Sequence, residues 1–471
     1  PHGLDNFGSR VPVAEGYQGQ YGLYQWRKSS VLNIGEEQTQ NPYTELSPLQ
    51  AHQDIVRFLV QIDDFRFASA GDDGSVFVWD VQTGEILFAL NGHLQKITAV
   101  VVFRTPEVSE GIHNIILTAS SDKSVIAWDC ESGQQVHKIS DFQSTVKTLT
   151  VIHSLDVWLS GGSEVHVWNR NFNLLCKTGY YVDGGVSALI ELPKNCVAAA
   201  IGKDLIIFNV SAVSEKSDRW DISEVKILSV HQDSIRALLS VNDCMFVSGS
   251  DAGELIVWDA VDWTIQALER KISAISSLQE APQEGKLTAE KKTAIQHVSC
   301  DGECVFAAVG ESIYVYNVQE KRVIAFQVNA HDSNIQHLAN LPNRQVVSCS
   351  EDGSVRIWEL RSKPELYAEP VPTGFFGLLG FGKASKQASQ AAKKIQDSGV
   401  VASLDLIGDL IGHSASVQMF LYFNDHSLVT CSADQLVIIW KEGKTESRLR
   451  SLLLFKKLDE NNGLQPRFAL S

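Results

Sequence analysis

One stretch of this chain decides its fold: Ser69-Ala70-Gly71-Asp72-Asp73-Gly74-Ser75-Val76-Phe77-Val78-Trp79-Asp80. A short apolar strand within it ends in an aromatic residue that is followed by a polar one. The pattern returns in Ser348-Cys349-Ser350-Glu351-Asp352-Gly353-Ser354-Val355-Arg356-Ile357-Trp358-Glu359, and the other copies end at Trp128-Asp129, Trp168-Asn169, Phe208-Asn209, Trp258-Asp259, Tyr316-Asn317 and Trp440. Eight copies in one chain indicate a fold that is built from a single repeated unit.

The repeat resembles that of the WD40 family, whose units are roughly 40 to 45 residues long. Gly-His upstream and Trp-Asp at the end of a unit, as in Gly92-His93 and Trp128-Asp129, carry this resemblance. It implies an all-β propeller of four-stranded blades. Eight units predict eight blades, and the divergence of some units leaves seven open. In this family an N-terminal strand completes the last blade and so pairs an open sheet edge; residues 43–49 fit that strand.

The repeats divide the chain into three parts. Residues 1–40, rich in Gly, Gln and Ser, predict a flexible arm. Residues 41–444 predict the WD40 propeller, with two long loops at 270–294 and 361–402, the first of them polar and solvated. Residues 445–471 predict a C-terminal helix and tail, because apolar residues from Leu449 onward have helical spacing. Thr445 or Ser447 is the expected N-cap of that helix.

Composition and charge exclude several classes of function. The net charge of −16 argues against a nucleic-acid interface, because such affinity rests largely on Lys and Arg neutralising phosphates. No apolar run reaches the ~18 residues of a membrane-spanning helix, so no direct membrane insertion is expected. The eight cysteines are dispersed, several of them in strand patterns. They predict reduced core thiols in a cytoplasmic protein.

Four units carry a histidine, a hydroxyl residue, an aspartate and a tryptophan at matching positions. An aspartate in a turn can orient the imidazole, which contacts the hydroxyl, which satisfies the indole N–H. Histidine, serine and aspartate also make a hydrolase triad, but a set that recurs once per repeat favours a buried brace. A hydrolase would need one set open to solvent. The four predicted tetrads are His52, Ser69, Asp73 and Trp79; His93, Thr118, Asp122 and Trp128; His331, Ser348, Asp352 and Trp358; and His413, Thr430, Asp434 and Trp440.

The fifth unit keeps His231, Ser248 and Trp258 but has Ala252 where the aspartate belongs. We therefore expect a weaker brace there, as in the third, fourth and sixth units, which have lost most of the set.

Motifs of common enzymes are absent from the sequence, including the P-loop, G-x-S-x-G and H-E-x-x-H. His297, Cys300 and Cys304 fall where a strand, a turn and a second strand are expected, which favours structure over a zinc site. The sequence therefore predicts no enzyme, no cofactor and no metal.

The loop at 361–402 differs from an ordinary turn. It runs through three prolines into Thr373-Gly374-Phe375-Phe376-Gly377-Leu378-Leu379-Gly380-Phe381-Gly382 and then becomes basic. A structureless loop of ~40 residues in a compact domain is usually functional or disordered. Its aromatic residues follow neither helical nor strand periodicity, which favours a short linear motif for a hydrophobic cavity. The alternatives are that these side chains pack back onto the propeller or touch a membrane surface.

Three stretches outside the repeat resemble one branch of the WD40 family, and the likeness extends from about Ile34 onward. They are Ile34-Gly35-Glu36-Glu37-Gln38-Thr39-Gln40-Asn41-Pro42-Tyr43-Thr44-Glu45-Leu46, Ala368-Glu369-Pro370-Val371-Pro372-Thr373-Gly374-Phe375-Phe376 and Leu406-Ile407-Gly408-Asp409-Leu410-Ile411-Gly412-His413. The resemblance implies a non-enzymatic subunit of a complex with two DENN-domain proteins. One of these is encoded in the Smith-Magenis region, and the other is linked to amyotrophic lateral sclerosis and frontotemporal dementia (ALS/FTD).

The resemblance further implies recruitment to the lysosomal membrane surface through a PQ-loop cationic amino-acid transporter, and a role in autophagy and small-GTPase regulation. We expect the transporter to bind a docking loop that consists of Pro372, Thr373, Gly374, Phe375, Phe376 and Phe381. We expect the Smith-Magenis-region DENN protein to bind the eighth blade, the N-terminal edge and the C-terminal helix. The residues expected to contact it on the helix are Leu449, Leu452, Leu453, Phe455 and Lys456.

An alternative function is that of a substrate receptor of a cullin-RING ubiquitin ligase. WD40 receptors of this kind often carry Trp-Asp-x-Arg at the end of a blade. Trp358-Glu359-Leu360-Arg361 approximates that motif, with Glu in place of Asp.

Overall fold

The computed structural model describes residues 41–104, 114–182, 184–214, 217–277, 293–362, 400–424 and 427–462. They form eight antiparallel sheets of four strands each. The innermost strands of successive sheets contact one another, and the last contacts the first, so the sheets close into a ring. The structure confirms the eight-bladed all-β propeller and removes the seven-bladed alternative.

The strands follow one another from the channel outward in each of the first seven blades. Blades 1 and 2 consist of β2 (Val56–Gln61), β3 (Arg66–Gly71), β4 (Val76–Asp80), β5 (Ile86–Leu90), β6 (Ile97–Phe103), β7 (Ile115–Ser120), β8 (Val125–Asp129) and β9 (Gln135–Ile139). Blades 3 and 4 consist of β10 (Thr148–Ile152), β11 (Val157–Gly161), β12 (Val165–Asn169), β13 (Leu174–Lys177), β14 (Val186–Leu192), β15 (Cys196–Ile201), β16 (Asp204–Ser214) and β17 (Ser217–Leu228).

The second half of the ring repeats this order. Blades 5 and 6 consist of β18 (Ile235–Asn242), β19 (Met245–Ser250), β20 (Leu255–Asp259), β21 (Ile265–Glu269), β22 (Ile295–Cys300), β23 (Cys304–Val309), β24 (Ser312–Asn317) and β25 (Arg322–Gln327). Blade 7 consists of β26 (Ile335–Leu341), β27 (Gln345–Ser350), β28 (Ser354–Ser362) and β29 (Ala402–Ile411), and blade 8 of β30 (Val417–Tyr422), β31 (Leu428–Ser432), β32 (Leu436–Glu442) and β1 (Tyr43–Gln50).

The outer strand of blade 8 comes from the other end of the chain. Strand β1 pairs antiparallel with β32, so that Leu46 lies opposite Trp440 and Gln50 opposite Leu436. Leu49 points into the apolar cluster between blades 8 and 1, where it packs with Ile439. The predicted closing strand is therefore confirmed.

The apolar core lies between blades. Strands β7 and β15 are buried along their whole length, because each is the second strand of its sheet and neighbouring blades cover both of its faces. Their sequences accordingly read as continuous apolar or small residues, as buried strands do.

The described start of the segment 270–294, residues 270–277, differs from the solvated loop that we predicted. Ile272 is fully buried in the cluster between blades 5 and 6, and it is followed by a short helix, α1 (Ala274–Ser277). The Ser276 hydroxyl lies 2.9 Å from the Tyr314 hydroxyl of β24. One isoleucine thus anchors the start of a segment whose overall composition is polar.

The C-terminal helix α2 (Gly443–Asn462) begins where β32 ends. Thr445 and Ser447 lie inside the helix, so the prediction that either of them is the N-cap was wrong. The Thr445 hydroxyl instead donates back to the Glu442 carboxylate over 2.8 Å. No helix among the described residues is both long and apolar enough to cross a bilayer.

Candidate interaction surfaces

Each predicted tetrad is joined by three contacts inside its blade. In blade 1, the Trp79 indole N–H donates to Ser69 Oγ over 2.8 Å, and that hydroxyl lies 2.8 Å from His52 Nε2. His52 Nδ1 lies 3.0 Å from Asp73 Oδ2. Blades 2, 7 and 8 repeat the arrangement. Because the carboxylate accepts from Nδ1–H, the neutral imidazole accepts the hydroxyl proton at Nε2.

The tetrads brace the blades and cannot act as hydrolase triads. The hydroxyl residue of every set is fully buried, namely Ser69, Thr118, Ser348 and Thr430. A substrate carbonyl therefore has no path to the would-be nucleophile. Burial also lowers the pKa of His93, against the opposing effect of Asp122. The imidazole stays neutral and structural.

Blade 5 has a complete brace, which sequence reasoning missed. Glu254, two residues beyond Ala252, places Oε2 3.1 Å from His231 Nδ1. His231 Nε2 in turn lies 2.6 Å from Ser248 Oγ, which accepts the Trp258 indole proton over 2.8 Å. The expectation of a weaker brace in this blade was wrong. The sequence does carry an acidic residue here, but it stands two positions after the one that aspartate holds in the other units. The extra methylene of glutamate compensates for this displacement.

The C-terminal helix exposes apolar side chains that have no counterpart to cover them among the described residues. Leu449, Leu452, Leu453, Leu454 and Phe455 are 46 to 65% exposed. The structure therefore brings together the predicted partner-contacting residues on α2 and leaves their apolar surface in solvent. The apolar side chains of this helix could either pack on the propeller rim or contact a partner. Packing on the rim is not observed.

The first turns of α2 attach the helix to blade 8. Arg450 forms a bidentate ion pair with Glu45 of the closing strand, and its second contact joins Nη1 to Oε2 over 2.8 Å. The Gly443 amide donates to the Pro42 carbonyl over 3.2 Å. The exposed apolar turns thus project from a base made by both ends of the chain.

The predicted transporter-docking loop falls, in the sequence, between two paired strands of blade 7. Its residues, Pro372, Thr373, Gly374, Phe375, Phe376 and Phe381, lie outside the described residues. The two strands that flank it, β28 and β29, pair antiparallel, and their last pair is Ser362 with Ala402. The segment is thus a long connection between two adjacent strand ends.

A cavity of about 950 Å³ lies at one mouth of the central channel. It is lined by the ends of inner strands in blades 1 to 5 and by the turns that follow them. The polar groups there include a hydrogen-bonded pair, His153 Nδ1 and Glu191 Oε2, 3.0 Å apart. No local sequence pattern predicts this cavity, because its lining comes from turns about 40 residues apart in the chain.

The motif that suggested a ligase receptor is held within blade 7. Trp358 donates to Ser348 as part of the brace. Arg361 forms ion pairs with Glu359 and, over 3.3 Å, with Asp405 of the neighbouring strand.

Comparison with known proteins identifies the family of this chain. The model of the WDR41 β-propeller family matches residues 18–450. The chain belongs to the WDR41 β-propeller family. Human WD repeat-containing protein 41 is 62% identical over 438 residues, which cover 93% of this chain and 95% of that protein. The mouse protein is 58% identical over 440 residues, with 93% and 96% covered.

The WDR41 family match begins at residue 18, earlier than the Ile34 from which the sequence resemblance was drawn. Solved structures show the fold alone. The computationally designed Ika8 protein aligns with a TM-score of 0.59 at 19% identity, covering 84% of this chain and 98% of that one. Chaetomium thermophilum Sqt1, bound to the N-terminus of ribosomal protein L10, gives 0.59 at 14% identity with the same coverage. WDR41 proteins are WD40 propeller scaffolds and generally non-enzymatic, so this chain has a protein-interaction role.

Proposed function

We propose that this chain is the non-catalytic scaffold subunit of a complex with two DENN-domain proteins, the Smith-Magenis-region protein and the ALS/FTD-linked protein. It recruits the complex from the cytoplasm to lysosomes through a PQ-loop cationic amino-acid transporter, and it acts in autophagy and small-GTPase regulation. The observation that supports this proposal most is the exposed apolar surface of helix α2. A solvent-exposed cluster of this kind is typical of a protein interface.

The proposed DENN-binding surface consists of residues on helix α2. Leu449, Leu452, Leu453 and Lys456 are spaced so that they share one face, and Phe455 flanks them. Full burial of a leucine contributes about 1.5–3 kcal/mol, so two or three of these side chains suffice as anchors of an interface. The ion pair between Arg450 and Glu45 holds this face beside the N-terminal edge of blade 8.

The DENN interface is tested by charge introduction on the helix. The double variant Leu452→Asp/Leu453→Asp places carboxylates on a face that a partner would desolvate. Both side chains are exposed in the free protein, so the propeller keeps its stability. We expect recovery of both DENN proteins in affinity purification to fall at least about tenfold. The matched control is Leu94→Asp, which alters an 85% exposed leucine on another blade. Equal recovery with all baits would refute the helix assignment.

The transporter contact is tested separately. Deletion of residues 364–400, with Lys363→Asn and Val401→Gly, leaves an Asn-Gly turn between Ser362 and Ala402, which suits a two-residue hairpin. The bait is purified from amino-acid-starved cells and its partners are identified by mass spectrometry. We expect the DENN proteins to be retained and the transporter to be lost.

A narrower variant, Phe375→Ala/Phe376→Ala, should likewise abolish lysosomal recruitment and spare the DENN complex. Normal recruitment of this variant would rule out the docking loop. Recovery of cullin components in place of the DENN proteins would support the ligase-receptor alternative.

A further inference from the structure

Blade 4 has lost the brace but has kept its acid. Trp258 of blade 5 pairs with Phe246, two residues before Ser248, and Phe208 of blade 4 pairs with Val197, two residues before Ala199. The hydroxyl position is therefore Ala199. His231 stands four residues before its inner strand, where blade 4 has Val182. Asp204 stands four residues before Phe208, as Glu254 does before Trp258. Only the acid therefore retains its polar character.

The loss of the histidine leaves this acid without the imidazole that Glu254 contacts in blade 5. The Tyr181 ring contacts Phe208 edge to face, with centroids 6.4 Å apart. Its hydroxyl bonds to Glu224, not to Asp204, and burial with that contact raises the pKa of Tyr181. Asp204 Oδ1 is buried without a hydrogen-bond partner. A buried acceptor without a donor costs free energy that a bound donor would recover.

A cavity of about 390 Å³ lies beside Asp204. Tyr181, Val182 and Ile201 give it apolar walls, and Asp204 and Asp233 both line it. Val182 is 82% exposed, and a β-carbon at Gly202 would meet no atom within 4 Å, so the cavity is open.

We propose that this cavity, the blade-4 pocket, binds an arginine or lysine side chain of an extended peptide segment in a partner protein. The carboxylates of Asp204 and Asp233 supply charge complementarity, although the exposed Lys203 also lines the cavity. The Tyr181 ring offers a face to the cation, and the apolar walls suit an aliphatic stem. The planar fork of arginine fits a carboxylate better than lysine does.

The proposal is independent of the DENN and transporter assignments. The pocket lies between β15, β16 and the turns around 181 and 233, whereas those assignments rest on α2 and on the segment between β28 and β29. Failure of either proposal therefore leaves the other standing.

The test is selection of random heptapeptides displayed on phage against the full chain. Recovered peptides are then synthesised with citrulline, a neutral isostere, in place of arginine. We expect one fixed basic position in the recovered peptides and affinity losses of at least about tenfold for citrulline, as for a lost charge-assisted hydrogen bond. Asp204→Asn should give a similar loss, and its unfolding midpoint in urea should not decrease, because in the free protein the buried Oδ1 of Asp204 accepts no hydrogen bond that the change would remove.

Two further variants sharpen the result. Asp233→Asn removes the second carboxylate that lines the cavity and should also weaken peptide binding. Asp243→Asn removes an exposed charge at the channel mouth, at the opposite end of the inner strands, and should leave binding unchanged. Recovered peptides without a basic preference, peptides that bind Asp204→Asn as tightly as the wild type, or no recovery at all would overturn the proposal.

Discussion

Replacement of Glu254 by alanine should destabilise blade 5 more than any single substitution on the surface of that blade. Glu254 and His231 are 2% and 4% exposed. The carboxylate accepts from the Gln232 amide over 2.9 Å and from the Ser250 hydroxyl over 3.1 Å, besides its contact with His231. Alanine would leave these donors buried and unpaired.

The magnitude follows from the burial of the pair. Burial lowers the pKa of His231, so its imidazole is neutral and donates to a charged acceptor. Loss of a hydrogen bond to a charged group costs about 1.5–3 kcal/mol. At 1.4 kcal/mol per factor of ten, the loss corresponds to a fall of roughly one to two orders of magnitude in protection of the neighbouring amides. Asp251→Ala, which removes the adjacent acid that pairs with the 64% exposed Arg236 side chain, should cost below about 1 kcal/mol.

The assay is hydrogen exchange of the amides in β19 and β20, read by mass spectrometry alongside urea unfolding followed by tryptophan fluorescence. The variant Ala252→Asp/Glu254→Ser recreates the arrangement of Asp352 and Ser354 in blade 7. It should recover most of the lost protection. If Glu254→Ala exchanges like the wild type, or if the double variant rescues nothing, Glu254 does not replace the missing aspartate.

Three further predictions concern acid stability, backbone strain and thiol reactivity. Burial lowers the pKa of His297 from 6.5 to about 4, so the unfolded chain binds a proton that the folded chain excludes. The contribution of this group to stability is complete above about pH 6.5, and the free energy of unfolding should fall by about 3 kcal/mol toward pH 4. The fall should be smaller in His297→Gln, and urea unfolding at each pH measures both. Gly185→Ala would bring a β-carbon against the Gly162 carbonyl at positive φ, whereas a β-carbon at Gly184, also at positive φ, would meet open space. The free energy of unfolding, measured in urea, should therefore fall by about 1–3 kcal/mol more for Gly185→Ala than for Gly184→Ala, and equal losses would contradict the contact. With a thiol reagent, the exposed Cys244 should react quickly and the other seven cysteines slowly until unfolding, since five of them are buried and two are half-buried; a second fast thiol would contradict this.

The repeat allowed the fold to be predicted from the sequence, since strand count, blade order and ring closure all follow from periodicity and from one extra strand at residues 43–49. The four regular tetrads follow for the same reason. Periodicity does not predict that one residue of a repeat can replace another from a different position. Glu254 reaches the imidazole from a position two residues late, because its side chain is one methylene longer than that of aspartate.

The interaction surfaces were predictable only in part. Helical spacing predicted that α2 exists, but whether its leucines pack or stay exposed depends on the distance to the rim, which no local pattern contains. Ile272 is the opposite case, a single apolar residue in a polar segment that the neighbouring blade buries. The blade-4 pocket depends on Asp204, which lacks a histidine partner because Val182 stands where blade 5 has His231.

The closing strand pairs two segments that lie far apart in the chain. Tyr43 pairs with Glu442, so β1 has no strand to pair with until the chain has been synthesised beyond residue 442. Glu45 in that strand also holds Arg450 at the base of α2. A partner that contacts both the helix and the strand would therefore bind only rings that have closed, and assembly of the complex would act as a quality control on the completed fold.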